Sequence, residues 1–128
     1  MDVWKGGIDL VARIYLVAKS FPKEEEFGLK SQIRRSAVSI PSNIAEGCSR
    51  NSDKEFRRFV EISLGSAFEV ETQLIIADQL KIISEDESRS LINLLHIQQR
   101  RMNALITTLK KRLLLTAYRN SIIRNHLS

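Results

Sequence analysis

The sequence predicts an all-α protein, an antiparallel up-down-up-down bundle of four helices. Two observations carry most of that expectation. Only two prolines and five glycines interrupt 128 residues, with aromatic residues at 6%, and apolar residues recur three and four positions apart over long stretches. A third is size: a chain of this length fits one domain, able to bury roughly two thirds of its unfolded surface. The bundle is expected over residues 1–118, with 119–128 a helix extension or a frayed tail.

A first helix is expected over about residues 3 to 20, where Trp4, Ile8, Val11, Tyr15 and Ala18 share a side and Phe21-Pro22 ends it. The run KEEEFGL suits a helix start, because glutamates are favoured at the positive end of the macrodipole. A second helix then runs from Glu24 or Phe27 to Glu46, with Gly47 as a left-handed C-terminal cap. Inside it, Pro41 cannot donate to the carbonyl of Ala37 and its ring crowds that carbonyl. Ile33, Ala37, Ile40 and Ile44 nevertheless keep one side across the proline, so the helix is expected to bend and continue. Ser36, Ser39 and Asn43 stand near enough to satisfy backbone groups freed by the bend.

Ser52 and Glu55 have capping-box spacing, as do Ser84 and Glu87, and they start the third and fourth helices. Phe56, Phe59, Val60, Leu64, Ala67, Val70, Leu74, Ala77 and Leu80 keep one side of helix three apolar. Arg57 and Glu61 form an i,i+4 pair near its opposite side. In helix four Leu91, Leu95, Gln98, Met102, Leu105, Leu109 and Leu113 hold a near-heptad seam to about residue 117, roughly 45–50 Å long. Gly65, Ser66 and Ala67, small residues in the middle of helix three, permit close helix approach within the bundle or between subunits.

The net charge of +5 lies entirely in the last third. After Glu87 no acidic residue follows, while Arg89, Arg100, Arg101, Lys110, Lys111, Arg112, Arg119 and Arg124 do. Such asymmetry points to a polyanionic partner. At 100° per residue Arg101, Arg112 and Arg119 fall within about 20° of one another, with Arg100 and Lys111 about 100° to one side. This broad basic face lies roughly opposite the Met102/Leu109 seam. It reads either as a phosphate-tracking surface, whose affinity falls steeply with salt, or as a solvated face complementing the helix end. A second basic group gathers Arg34 and Arg35 with Arg50, Arg57 and Arg58. Arg34 or Arg35 is expected to pair with Glu46, Glu69 or Glu71 as a structural staple.

Catalytic readings find little support. Glu69 and Glu71 point about 200° apart on a helix and cannot act as an acid and base from one side. Cys48 is the only cysteine; it cannot form an intrachain disulfide and has no local histidine to activate it. His96 and His126 lack the neighbours of a zinc site. No cofactor, metal or small-molecule substrate is expected. The apolar runs are broken by charges within about eight positions, short of the ~20 residues of a membrane span. With no charged-then-apolar leader, the expected location is cytoplasmic.

The stretches FPKEEEFGLKSQIRRSAVSIPSNIAEGCSR and KEFRRFVEISLGSAFEVETQL, with SIPSNIAEG the most specific part, closely resemble a known family. It is that of four-helix-bundle proteins encoded within intervening sequences of bacterial large-subunit ribosomal RNA genes. The family looks akin to the accessory variability protein of diversity-generating retroelements. The likeness covers about residues 4 to 83, with helix four similar by pattern. Gly6-Gly7, which loosen helix one, and Ala67, Phe68 and Val70 depart from it. The resemblance implies a non-enzymatic, cytoplasmic bacterial bundle forming a homo-oligomeric ring, a pentamer favoured, with basic surfaces for RNA or a ribonucleoprotein. A protein–protein scaffold is the alternative. The expected nucleic-acid contacts are Arg57, Arg58, Arg100, Arg101, Lys111, Arg112 and Arg119; Arg35, Pro41, Asn43, Glu46, Gly47, Glu69 and Glu71 are expected to be structural.

Overall fold

The computed structural model describes residues 1–127; Ser128, the end of the expected 119–128 tail, lies outside them. Four helices, α1 (Asp2–Ala18), α2 (Leu29–Cys48), α3 (Asp53–Gln79) and α4 (Glu85–Leu127), account for nearly all of it. One 3-10 turn, Lys23–Glu25, joins α1 to α2. No strand occurs among the described residues.

Helix ends follow from the side chains that satisfy the first exposed N–H groups. Ser52 Oγ accepts from the Glu55 N–H and Ser84 Oγ from the Glu87 N–H, each at 3.1 Å, so both expected caps start a helix. The glutamate run does not open α2 directly. It forms the 3-10 turn, from which Glu25 accepts from the Leu29 N–H at 3.0 Å, so that α2 starts at Leu29, two residues past Phe27 and five past Glu24. Gly47 is not a left-handed cap. It is buried inside α2 with no positive φ. A Cβ there would come within 2.9 Å of Phe56 Cδ1 and Phe59 Cβ, so the residue is small because α3 crosses there. The left-handed position belongs to Lys81 (φ 57), after α3. There the Ile82 N–H donates to Ala77 O at 2.9 Å and the Lys81 N–H to Asp78 O at 3.0 Å, a Schellman motif built without glycine.

The interior is aliphatic. Ile14 from α1, Ile33, Ile40 and Ile44 from α2, Val60, Val70 and Leu74 from α3, and Leu91, Leu95, Met102 and Leu109 from α4 are all fully buried. Each contributes about 1.5–3 kcal/mol relative to exposure. Just past the end of α3 the outlying Leu80 of the expected stripe is exposed, and in α4 Ile106 is buried while Leu105 and Leu113 are half-buried. The larger correction is in α1. Its inward side is Val3, Gly7, Leu10, Ile14 and Ala18, whereas Trp4, Ile8 and Tyr15 face out at 38–42% exposure. Gly6 and Gly7 do not loosen this helix. A Cβ at Gly7 would lie 3.2 Å from Pro41 Cβ and one at Gly6 2.6 Å from Gln98 Oε1, so the pair lets α1 lie close to both α2 and α4.

Cross-helix contacts fix which segments meet. Between α2 and α3, Ser36 Oγ donates to Glu69 (3.0 Å), Ser39 and Ser66 share a hydrogen bond (2.7 Å), and Ser63 Oγ donates to Ile40 O (2.7 Å). Numbers rise along one helix as they fall along the other. The same holds for Glu71 with Gln99 and Asp53 with Arg112 between α3 and α4. It holds again for Arg13 with Ser90 and the Val3 carbonyl with Gln98 Nε2 between α1 and α4. Pro41 is buried within a helix that continues through it to Cys48. Asn43 Nδ2 donates to Ser39 O at 2.8 Å, so the backbone acceptor it satisfies is that of Ser39.

Candidate nucleic-acid interface

Arg100, Arg101, Lys111, Arg112 and Arg119 are all exposed on α4. The helix is continuous across them, so the angular relation read from the sequence holds. Among the described residues only Arg112 of these five has a carboxylate within ion-pair distance, Asp53 Oδ1 at 3.9 Å, and its side chain is still 61% exposed. Arg101 lies across α1: a Cβ at Gly6 would sit 2.7 Å from its Nη1. Its charge is therefore placed over the α1–α4 seam, and Arg100 and Lys111 stand on the outer side of α4. The absence of acidic residues after Glu87 means that any neutralisation of this face comes from other helices, by Asp53 at Arg112 and by Asp9 of α1, which lines the same groove as Arg101.

The second basic group is balanced by its own carboxylates. Arg57 Nε lies 3.5 Å from Glu61, Arg58 Nη1 3.9 Å from Glu55, and Arg50 Nη2 2.5 Å from Glu46 while its guanidinium covers the Phe59 ring. Arg57 Nε is buried and makes no well-aligned hydrogen bond, so its 3.5 Å contact is electrostatic. Arg57 and Arg58 follow Asp53 by about one turn, which brings them to the end of the bundle where Arg112 lies. The α4 face carries free charge and the α3 group adds little net charge to it.

The expected staples are different in kind. Arg34 stacks its guanidinium 4.9 Å above the Tyr15 ring, and Arg35 is exposed with no partner among the described residues. Glu69 accepts from Ser36, and Glu71 Oε1 accepts from Gln99 Nε2 at 3.0 Å and meets His96 Nε2 at 3.1 Å. Glu46 takes Arg50. The structure does not join Arg34 or Arg35 to these carboxylates: Arg34 is taken up by Tyr15 of α1, and Arg35 is exposed to solvent. Glu69 and Glu71 engage different helices and share no site. Among the described residues no group of three His, Cys, Asp or Glu side chains is placed to hold a metal ion, and no helix is long and apolar enough to cross a membrane.

Sequence reasoning missed two apolar surfaces. One is the outward stripe of α1, Trp4, Ile8 and Tyr15. The other is on α3, where Ile62, Phe68, Ile75 and Ile76 are 42–50% exposed around Gly65, next to which a Cβ would meet nothing within 4 Å. Here a shallow groove is lined by Gln32, Phe68, Thr72, Gln73 and Ile76, and the buried Gln73 Oε1 has no hydrogen-bond partner. The signal in α1 was a second three-and-four stripe, Val3, Gly7, Leu10, Ile14 and Ala18, built from smaller residues. A helix apolar on two sides has one to spare for a neighbour.

The family model described as 23S rRNA-intervening sequence protein matches residues 1–104. The chain belongs to this family. Among solved structures it is similar to a protein of unknown function from the S23 ribosomal protein family of Bacteroides thetaiotaomicron. That likeness has 26% identity and a TM-score of 0.76, over 81% of this chain and 97% of that one. No curated protein matches the chain. Within the intervening-sequence family match lie Arg57, Arg58, Arg100 and Arg101; Lys111, Arg112 and Arg119 stand beyond it, on the continuation of α4.

Proposed function

We propose that this intervening-sequence protein is a non-enzymatic, cytoplasmic bundle that assembles into a closed ring, a pentamer by family resemblance, and presents the outer face of α4 to structured RNA or a ribonucleoprotein. In this reading the helices alternate up-down-up-down, as the opposed numbering of cross-helix contacts supports, and α2 bends at Pro41 to follow the core. The observation that carries the RNA reading is the exposed face of Arg100, Arg101, Lys111, Arg112 and Arg119, on which Arg112–Asp53 at 3.9 Å is the one ion pair among the described residues. Phosphates met there would release counterions, and about five contacts give a log–log salt slope near −4.

Support for the ring comes from the two apolar surfaces. α1 packs on α2 and α4, and α3 packs on the same two helices, so α1 and α3 occupy opposite corners. Two different sticky faces on opposite corners favour a heterologous contact, which closes into a ring, over a two-fold dimer built from one face. The protein–protein scaffold reading rests on these same surfaces without the basic face.

Fluorescence anisotropy with a structured hairpin RNA, over a salt series, tests the RNA reading. Binding should weaken with that slope and fall at least about tenfold in the triple variant Arg101→Glu/Arg112→Glu/Arg119→Glu, with circular dichroism unchanged. Affinity indifferent to both salt and charge reversal removes the RNA reading and leaves the scaffold.

A further inference from the structure

The continuation of α4 past Leu113 lies beyond the first residue of α3, since Asp53 meets Arg112. From Leu114 to Leu127 it extends by roughly 20 Å. Leu114, Leu115, Tyr118 and Ile122 fall within an arc of about 100° on this segment and are all exposed, Leu114 by 71% and Tyr118 by 67%. Arg112 and Arg119 border that arc. The apolar strip points nearly away from the seam of α4, so the protein's own bundle cannot cover it.

Charge decides what can. With no acidic residue after Glu87, two such segments side by side would bring the Arg112 and Arg119 charges of one copy against those of the other. The covering surface must be apolar and acidic. One exists at the opposite end of the same molecule. Between α1 and the first turns of α4 a groove of about 320 Å³ is lined by Leu16, Val17 and the buried Leu91, with Asp86 and Glu87 outnumbering Arg13, whose guanidinium donates to Ser90 at 3.1 Å on its rim. Asp86 and Glu87 make no ion pair among the described residues. At that end too, Leu16 is 63% and Phe27 96% exposed.

We propose that the projecting end of α4 docks into this groove on a second copy of the chain. Leu114, Tyr118 and Ile122 cover Leu16 and Val17, and Arg119 meets Asp86 and Glu87. Tail and groove sit at opposite ends of one molecule, so the contact is heterologous and adds copies end to end. It uses neither the α1 nor the α3 apolar face and does not depend on the ring: single bundles or whole rings would stack alike.

Sedimentation velocity and light scattering of the full-length chain, over a range of protein concentration and salt, test this. Species should grow with concentration and shrink as salt rises. Leu114→Ser/Tyr118→Ser/Ile122→Ser and Asp86→Lys/Glu87→Lys should each weaken the growth by about tenfold or more with helicity unchanged. Because the first variant could loosen the helix, a charge exchange provides the second arm. Asp86→Lys/Glu87→Lys protein and Arg112→Glu/Arg119→Glu protein, each defective alone, should associate when mixed. No recovery in the mixture, or end-on growth untouched by either variant, overturns the proposal. So does a wild-type chain that stays at one mass while its tail residues bind phosphatidylglycerol vesicles. Loss of lateral assembly in Ile8→Glu, with end-on growth retained, would bear on the ring alone.

Discussion

The two parts of α4 make an instructive pair. Up to Leu113 the helix has neighbours on two sides, and Leu91, Leu95, Met102 and Leu109 vanish into the core. Beyond it the same helix carries Leu114, Leu115, Tyr118, Ile122 and Ile123 in the open. Residue types hardly change across the boundary and the backbone does not break. What changes is the presence of α3, which begins at Asp53 opposite Arg112. Helix formation is a local matter once a long run of good formers is under way, whereas burial needs a second surface at the right place.

Cavity-forming substitutions should divide the helix most sharply. Leu95→Ala, at a site with 0% exposure, is expected to cost about 2–5 kcal/mol. Leu114→Ala should stay within about 0.5 kcal/mol when urea unfolding is followed in dilute protein. Equal losses would mean that the projecting segment is covered after all.

The glycines carry the same contrast into α2 and α3 with a smaller effect. Gly47→Ala drives a methyl group against Phe56 and Phe59 at 2.9 Å and should destabilise by about 1–3 kcal/mol. Gly65→Ala enters open space within a helix and should stabilise by up to about 1 kcal/mol. Thermal unfolding reads both. A loss at Gly65 that grows with protein concentration would show that a second copy lies over it.

The smallest effect belongs to a surface pair, Glu26 with Lys30. The hydrogen bond from Lys30, with its positive charge, holds the Glu26 carboxyl below the usual carboxylate range. A lowered folded-state value means that the stabilisation is present above the unfolded carboxylate range and is lost as pH falls through the folded one. Glu26→Gln should therefore unfold slightly more easily at neutral pH and match the wild type in strong acid, and a difference persisting there would assign its effect to something other than this pair.

Much of the fold was legible because its signals are local. Ser52 and Ser84 cap where their spacing with Glu55 and Glu87 says they should, since a cap involves only neighbours in sequence. The candidate basic face was legible for a similar reason, because angular position on a continuous helix follows from residue number alone. The misreadings needed a partner helix to correct them. Gly47 looks like a terminator until Phe56 and Phe59 cross it, and Gly6-Gly7 look like weakness until Pro41 and Gln98 fill the space beside them. Arg34 found an aromatic ring in α1 instead of a carboxylate in α3. In α1 two stripes satisfy the same period, and the one built from smaller residues is the one buried.

By itself, then, the sequence determined the all-helical class, the capped starts of α3 and α4 and the side of α4 on which positive charge collects. Each depends on interactions a few residues long or on the fixed pitch of the helix. Only the tertiary structure decided which apolar stripe of α1 is buried, which glycines mark close crossings and where α4 outruns its neighbours. Those outcomes depend on the distance between surfaces far apart in the chain, and hydrophobic burial, being non-directional, leaves that choice to whichever arrangement excludes the most water.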